Sequence, residues 1–394
     1  MFKEIFAFGN AEKSEFYFDD VLSLQEILRE KYTNKVKLIY LDPPFMTGRN
    51  YDAVMPVGSR GFAGDRKYYA SLPVYSDIWE SKESYLEFLK SILLLAKDLL
   101  NKDGVLVLHV DRHMSAYARI LLDEIFDEKC FLNEIIWHYH SGGSSKKAFS
   151  AKHDNLYIYG KNPRVSLNPA AAGGKRSENR HNHMKKQVGE DGRIYYSIKS
   201  NGKEYRYYED EVVPYDDVWD IPHLQQKHPE RTGYGTQKPL ELLDRIVKSC
   251  SEKGDIVCDF FSGSGTTLIS ALKNERAFLG TEMSPIGLLT LKRRLIEEKN
   301  ANVTIYYPHG VKMVEGYQNI VQGDYSSLPQ YEDKTEYLNY VALGRLEVDT
   351  FVCEKSSIRT NKEIHLNLEL LSSDDRLLWA TDVWGNNVIA KKWN

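Results

Sequence analysis

Ile256-Val-Cys-Asp-Phe-Phe-Ser-Gly-Ser-Gly-Thr-Thr267 reads as a buried strand, a glycine turn and the start of a helix. The apolar run ends at Phe261, too soon for a helix. Glycines at 263 and 265 let a ligand approach the backbone closely and leave the N–H groups of the following helix aimed at it. A helix from about Thr266 to Asn274 and a strand from Ala277 to Thr281 follow, with Glu282 at the strand's end. Strand, GxG, helix, strand and acid in that order make a nucleotide-binding βαβ unit. Two known uses of such a turn fail on single residues. A phosphate loop needs a lysine that is absent here, and a dinucleotide fingerprint needs a third glycine where Leu268 stands.

What remains is the F-x-G-x-G turn of S-adenosylmethionine enzymes, Phe261-Ser-Gly263-Ser-Gly265. Glu282 is then placed to accept both ribose hydroxyls of that cofactor.

A second stretch supplies an acceptor for the methyl group. Leu38 to Leu41 is a short buried strand that runs into Asp42-Pro43-Pro44-Phe45. Two prolines fix φ near −65° and remove two N–H donors, so the chain leaves the sheet as a stiff extended turn. A nucleobase amino group can give one hydrogen to Asp42 and the other to the carbonyl of Pro43, while Phe45 stacks on the ring. Held so, the nitrogen leaves conjugation and its lone pair can attack an electrophilic methyl group. An ordinary strand-ending turn is the competing reading of Asp-Pro-Pro taken alone. The glycine turn decides against it, because one motif supplies a clamp and the other a donor.

Strands and helices alternate around both motifs. Helices are expected from Glu83 to Leu100, His113 to Phe126 and Leu240 to Ser251, and strands at Val105–Val110 and Glu134–Tyr139. This indicates a doubly wound, mostly parallel α/β sheet covered on both faces. Met46 to Ser76 reads as a long loop rich in Gly, Arg and Tyr, either a flap over the substrate or a segment without a role. Beyond Asn302 the pattern becomes strand-like at Val303–Tyr307, Ile364–Leu370, Leu377–Thr381 and Val388–Lys392, around a Gly385-Asn386-Asn387 turn. Four parts result: a catalytic half over 1–140, a basic insertion over 141–215, a cofactor-binding half over 216–302 and a small β-rich appendage over 303–394.

The net charge of −4 conceals an asymmetry. Ser141 to Arg206 carries 14 Lys/Arg against 5 Asp/Glu, the footprint of directed phosphate contact inside an acidic whole. The competing reading is a solvated loop. The 26 tyrosines are compatible with a base-contacting surface. Four scattered cysteines, without a C-x-x-C pair, predict neither disulfides nor a metal site. With no signal pattern and no apolar run long enough to span a bilayer, a cytoplasmic protein without a membrane contact is expected.

The sequence resembles the amino-methylating DNA methyltransferases, N6-adenine and N4-cytosine, in the permuted β-class order where Asp-Pro-Pro-Phe precedes F-x-G-x-G. The match runs from about residue 16 to 298 and includes Tyr75-Ser-Asp-Ile-Trp79, Leu121-Leu-Asp-Glu-Ile-Phe126, Val218-Trp-Asp-Ile-Pro222 and Gly235-Thr-Gln-Lys-Pro239. The phrasing near Asp42 and from Trp137 to Lys161 is most similar to the modification subunits of type III restriction systems. Those are usually longer, which favours a stand-alone or type II-like enzyme.

The resemblance implies a circularly permuted S-adenosylmethionine-dependent methyltransferase fold, with 141–215 as target-recognition region. It implies that Asp42, Pro43, Pro44 and Phe45 hold the flipped base. It places Asp20 at the cofactor adenine, Gly263, Gly265 and Thr266 at the methionine end beside Phe261, and Glu282 at the ribose. Lys238 lies in the motif that closes the cofactor pocket, with its ammonium expected on the methionine carboxylate. Trp137 and Tyr139 share one strand face, and the family often sets an aromatic near here against the flipped base; a core Trp is the competing reading of Trp137. Lys146, Lys147, Lys175 and Arg176 are the basic residues expected on double-stranded DNA. Relatives are often dimers and often serve beside a restriction endonuclease. Many carry Asn where this chain has Met46.

The expected reaction is transfer of a methyl group from S-adenosylmethionine to N6 of adenine in DNA. The alternatives are N4-cytosine methylation by the same clamp and a catalytically silent DNA-binding modification subunit.

Overall fold

A computed structural model describes residues 1–7, 14–140, 146–175, 184–298, 301–315, 324–347, 349–359 and 377–391. In chain order these form β1 (Phe2–Ala7), β2 (Ser14–Tyr17), α1 (Gln25–Tyr32), β3 (Val36–Leu41), β4 (Arg49–Pro56), α2 (Gly58–Phe62), β5 (Tyr69–Asp77), α3 (Lys82–Leu99), β6 (Leu100–Val110), α4 (Ser115–Phe126), β7 (Phe131–His138) and β8 (His153–Gly160). The insertion contributes β9 (Gly174–Lys175), β10 (Lys185–Val188), β11 (Ile194–Ser200), β12 (Lys203–Tyr208) and β13 (Val212–Val213). Then come β14 (Val218–Asp220), α5 (Leu240–Cys250), β15 (Ile256–Asp259), α6 (Thr266–Lys273), β16 (Ala277–Thr281) and α7 (Pro285–Glu297). The chain closes with β17 (Asn302–Tyr307), β18 (Lys312–Glu315), β19 (Leu338–Glu347), β20 (Thr350–Ile358), β21 (Leu377–Asp382) and β22 (Asn387–Lys391).

The main sheet runs β14-β7-β8-β6-β3-β15-β16-β2-β17-β1-β20-β19-β21-β22-β18. From β6 through β3, β15, β16 and β2 to β17 every neighbour is parallel, and β8 is inserted antiparallel between β6 and β7. Alternating residues of β3 feed two cores. Leu38 and Tyr40 face the layer of α5, α6 and α7, whereas Ile39 and Leu41 face α1, α3 and α4. Both faces are therefore covered, as the near-continuous apolar runs of the strands require.

The chain leaves β3 for β6 through α3 on one face, and leaves β15 for β16 through α6 on the other. The neighbouring strands β3 and β15 thus straddle the switch point of the sheet, beyond whose carboxyl ends ligands bind in such folds. The register pairs Asp259 with Tyr40, so the Asp42 turn and the glycine turn emerge side by side.

Three expectations need correction. Residues 46–76 are not a loop: β4 and β5 form a hairpin with Ala53 opposite Leu72. Ala53, Met55 and Leu72 pack with Tyr234, Ile286, Tyr325 and Tyr337, which tie the hairpin to the C-terminal region. The insertion expected over 141–215 is not separate throughout: its residues His153–Gly160 form β8, a full member of the main sheet. The strands after residue 302 continue that same sheet, with β17 seated between β2 and β1. The charged helix α7 also buries one of its cations: Lys292 Nζ lies 2.7 Å from Glu4, both wholly inside. The Leu377 and Val388 strands and the Gly385 turn stand as read, with Gly385 at φ +81°. The proposed Ile364–Leu370 strand lies outside the described residues. Among the described residues no helix is long and apolar enough to cross a membrane.

Candidate active site

The Asp42 turn is fastened by a carboxylate 35 residues away in sequence from its first member, Asp77 at the end of β5. Asp77 is buried and accepts the N–H groups of Phe45 at 3.1 Å, Met46 at 2.8 Å and Thr47 at 2.8 Å, and the Thr47 hydroxyl at 2.7 Å. Trp79 Nε1 donates to it at 3.1 Å. After two prolines the chain has no strand to pair with, and this one carboxylate satisfies the freed donors. Met46 sits at φ +59°. Asn adopts that left-handed region more readily than Met, which gives a physical reason for the Asn of many relatives.

Asp42 itself is in contact with Lys238 Nζ through Oδ2. Lys238, expected on the methionine carboxylate, thus lies on the Asp42 carboxylate. The other oxygen, Oδ1, is buried, has no hydrogen-bond partner among the described residues and stands 3.6 Å from His109 Nδ1. His109 is wholly buried; the Tyr40 hydroxyl lies 2.8 Å from Nδ1 and Asp154 lies 3.2 Å from Nε2. Burial alone would raise the Asp154 carboxyl, but hydrogen bonds from His109 and Tyr139 and the neighbouring cations hold it below the usual range.

Across the switch point, Gly263 adopts φ +50° and Gly265 φ +76°. Gly263 N–H donates to Glu282 Oε2 at 2.7 Å and Ser284 N–H to Oε1 at 2.8 Å. Burial raises the Glu282 carboxyl, against these backbone donors. Each of its oxygens keeps acceptor capacity for a further donor. Thr266 opens α6 and receives Arg294 Nη1 at 2.9 Å. Gly265 does not line the cavity: a Cβ there would meet Leu291 of α7 at 2.7 Å, so its role is close packing. Asp20 caps a turn by accepting the N–H of Leu22 at 2.8 Å.

One cavity of about 550 Å³ joins the two halves. It is lined by Asp20, Asp42, Pro43, Pro44, Phe45, Lys238, Phe261, Gly263, Thr266 and Glu282, and also by Tyr75, Asp154, His223 and Tyr234. That volume suits a small-molecule ligand. A Cβ at 263 would come within 3.2 Å of the Tyr234 ring, so the bare glycine keeps the cradle open.

The sequence profile of the DNA methylase family, which groups N6 and N4 enzymes, matches residues 36–287, from β3 into α7. The chain belongs to that family. This DNA methylase is 27% identical over 325 residues to the type II methyltransferase M.EcaI of Enterobacter cloacae, covering 70% of this chain and 68% of that protein. It is 25% identical over 290 residues to the DNA adenine methyltransferase YhdJ of Escherichia coli K12, covering 73% and 84%. A solved structure of M1.HpyAVI in complex with S-adenosylmethionine is similar over 72% of this chain and 99% of that one, at 18% identity and a TM-score of 0.44.

The residues assigned to the flipped base and to DNA fare unevenly in this methylase. Trp137 is a core ring, donating to the Ile221 carbonyl at 2.8 Å, and does not line the cavity. Tyr139 is also turned away from it, with its hydroxyl on Asp154 at 3.2 Å. Both rings instead support His223, stacked on Trp137 at 4.7 Å and edge-on to Tyr139 at 4.0 Å. His223 is the ring on that side that lines the cavity, and burial lowers its pKa to about 4, keeping it neutral.

Lys146 and Lys147 are exposed, the backbone of Lys175 pairs with Val212, and Arg176 lies outside the described residues. In the insertion, β10, β11 and β12 form a separate sheet where Arg193 covers Tyr208 at 4.0 Å and Arg206 covers Tyr195 at 4.9 Å. At the ends of β7 and β14 in the main sheet, His138 Nδ1 and His140 Nε2 each lie 3.0 Å from Asp220 Oδ1, a group of three ligand-type side chains not anticipated from the sequence. Asp77, His109, Asp154 and His223 were likewise missed. A histidine inside the apolar strand Val105–Val110 was the readable signal for His109, since buried polar groups need partners.

Proposed function

We propose that this DNA methylase transfers a methyl group from S-adenosylmethionine to the exocyclic N6 amine of adenine in double-stranded DNA, on a base flipped out of the duplex. The observation that carries the reading is the shared cavity: the Asp42 turn and the Gly263 turn end adjacent parallel strands and open into one space. Resemblance to a DNA adenine methyltransferase over 84% of its length favours adenine over cytosine.

When bound, the cofactor supplies a methyl group on a positively charged sulfur. Glu282, the Gly263 turn, Thr266, Phe261 and Asp20 are the residues that would hold it. Asp42 accepts an amine hydrogen, localises the nitrogen lone pair and stabilises the positive charge developing there. Phe45 offers a stacking face, and the neutral His223 ring a second wall. Base extrusion costs a few kcal/mol, and stacking on an aromatic ring returns about 1–3 kcal/mol. Phosphate contacts from the basic insertion supply the remainder. The protein would work in the cytoplasm, as a homodimer or beside a cognate restriction endonuclease.

Incubating the protein with duplex DNA and tritiated S-adenosylmethionine, then digesting to nucleosides for mass spectrometry, tests this reading. N6-methyladenine is the expected product. N4-methylcytosine would replace the base assignment, and no transfer at all would leave a silent DNA-binding subunit.

A further inference from the structure

His109 has more around it than a core histidine needs. Three neighbouring strands converge on it: β3 brings Tyr40 and Asp42, β6 carries the imidazole, and β8 brings Asp154. Burial keeps the Tyr40 phenol protonated, so its hydroxyl donates to Nδ1 and the ring hydrogen sits on Nε2, facing Asp154. Those two bonds already satisfy the ring. What they leave unexplained is Asp42 Oδ1, buried without a donor 3.6 Å from the same Nδ1. The Phe45 and Trp137 rings flank the imidazole at 5.6 and 5.4 Å. A carboxylate oxygen this close to an imidazole nitrogen can share a hydrogen with it once Tyr40 turns its own away.

The reaction supplies that hydrogen. As the nitrogen lone pair forms the N–C bond and the C–S bond of the donor breaks with its electron pair going to sulfur, positive charge builds on a nitrogen that still carries both of its hydrogens. One must leave. We propose that His109, positioned by Asp154, takes up this proton by way of Asp42. The inference rests on the methyl-transfer reading above. As that charge builds, the proton passes from nitrogen through the Asp42 carboxyl group to Nδ1 of His109, while Tyr40 rotates from donor to acceptor. Asp42 returns to carboxylate, and His109 becomes an imidazolium between two carboxylates until product departs and water removes the proton. The 3.6 Å separation must shorten to a hydrogen bond, a tightening common when a substrate fills the site.

The charged and titratable groups around the imidazole are Asp42 and Tyr40 from β3, Asp154 from β8, Lys238 reaching it across Asp42, and the neutral His223. His109 thus acts as a positioning and proton-accepting residue behind the catalytic acid, and does not touch the base.

The test is single-turnover transfer of tritiated methyl to duplex DNA across about pH 5.5 to 9, the range over which an imidazole changes charge. Wild-type, His109→Gln and Asp154→Asn enzymes are compared, with circular dichroism and cofactor affinity as folding controls. Wild type should lose rate in acid, where a protonated imidazole accepts nothing. His109→Gln should be slower at pH 8 by at least about tenfold, below the usual range for general bases because the product ammonium is itself acidic. It should also lack the acid limb, with affinities for cofactor and DNA within about threefold of wild type. Asp154→Asn removes a negative charge beside the imidazolium and should move the limb to lower pH. A His109→Gln enzyme with the wild-type rate, or slowed by one factor at every pH, overturns the proposal. If His109→Gln fails to fold, an unmoved limb in Asp154→Asn overturns it instead. Absence of transfer in the wild type would sink the methyltransferase reading itself.

Discussion

Lys238 Nζ is bonded to Oδ2 of Asp42, across 196 residues of sequence, and each side chain is largely enclosed. The ammonium also lies 5.4 Å from the centre of the Phe45 ring, so one cation touches both the acid and the stacking face of the proposed base site. The pair leaves Oδ1 as the carboxylate oxygen without a partner. Lys238→Met should therefore cut the methylation rate by more than about tenfold, since removing one partner strands the other charge in a poorly solvated site. Cofactor affinity should change by less than about threefold. Equilibrium binding of S-adenosylmethionine beside a turnover assay separates the outcomes. A large loss of cofactor affinity with little change in turnover would return Lys238 to the methionine carboxylate.

Asp42→Ala should abolish methylation, below about 1% of wild type, with cofactor binding largely intact. The Gly263 turn and Glu282 hold each other through their own hydrogen bond and do not use Asp42. Losing a group that stabilises charge in the transition state costs about 10²–10³ in rate. Wild-type-like turnover in this variant would remove the mechanism.

Asp77 organises the turn without lining up as an acid for chemistry. Asp77→Ala strands the N–H groups of Phe45, Met46 and Thr47. Each buried donor left unpaired costs about 1–3 kcal/mol, so urea denaturation should show at least about 2 kcal/mol of lost stability. Met46, at φ +59°, would be free to relax and displace Phe45. Turnover should fall with it. Unchanged stability in this variant would mean that the turn is rigid through its prolines alone.

The two glycines of the turn should separate by phenotype. Gly265→Ala pushes a methyl group into Leu291 and imposes φ +76° on an L-residue, which should cost about 1–3 kcal/mol in stability. Gly263→Ala carries a similar backbone strain at φ +50° but meets the Tyr234 ring at 3.2 Å, beside the cavity, and should lose more cofactor binding relative to stability than Gly265→Ala does. Thermal melts and cofactor titration on both variants check the contrast; equal effects on both readouts would refute it.

Local signals made half of this site legible in the sequence. Asp42, Phe45, Gly263 and Glu282 were readable because each motif is a strand end followed by residues whose backbone chemistry is unusual, and the sheet brings the two ends together. Lys238 was assigned to the right cavity, but its contact with Asp42 was not foreseen, since it depends on tertiary placement that no spacing encodes. For Trp137 and Tyr139, period 2 gave a shared face but not what that face meets. Pro56, Gly58 and Gly61 broke the alternation of β4 and β5 and made a packed hairpin look like a loop. The membership of β8 and β17 in the main sheet was hidden because pairing partners lie far apart in sequence.

Asp259, at the end of β15, ties the pH dependence of stability to the same turn. Burial lifts its pKa to about 7, with the charges of Asp42 and Glu282 adding to the effect. An Asp in the unfolded chain titrates near 3.9. The folded state therefore holds the proton over a window where the unfolded state has lost it, and stability falls as pH rises from about 4 to about 7. At about 1.4 kcal/mol per unit the contribution is of order a few kcal/mol. Asp259→Asn keeps the acceptor for Phe261 N–H, now 2.9 Å away, but abolishes the titration. The gap in stability between variant and wild type should widen from pH 5 to pH 7.5 in urea melts. A constant gap would show that the carboxyl is not protonated in the fold.

The basic insertion makes the last prediction quantitative. Of its cations, Arg193 is paired with Asp210 at 2.7 Å and Arg206 with Glu204 at 2.9 Å, and each lies over a tyrosine ring. Cations so engaged have acidic partners to give up before they can neutralise phosphates. The number of phosphates contacted should therefore sit near the low end of the 6–10 typical of such proteins, with affinity falling about 10³-fold between 50 and 200 mM salt. Lys146 and Lys147 are exposed. Replacing both with Ala should lower the slope of log affinity against log salt by about 1.8, two contacts at about 0.9 each. Fluorescence anisotropy with a labelled duplex measures the slope directly. A double variant with the wild-type slope would move the phosphate contacts elsewhere on the insertion.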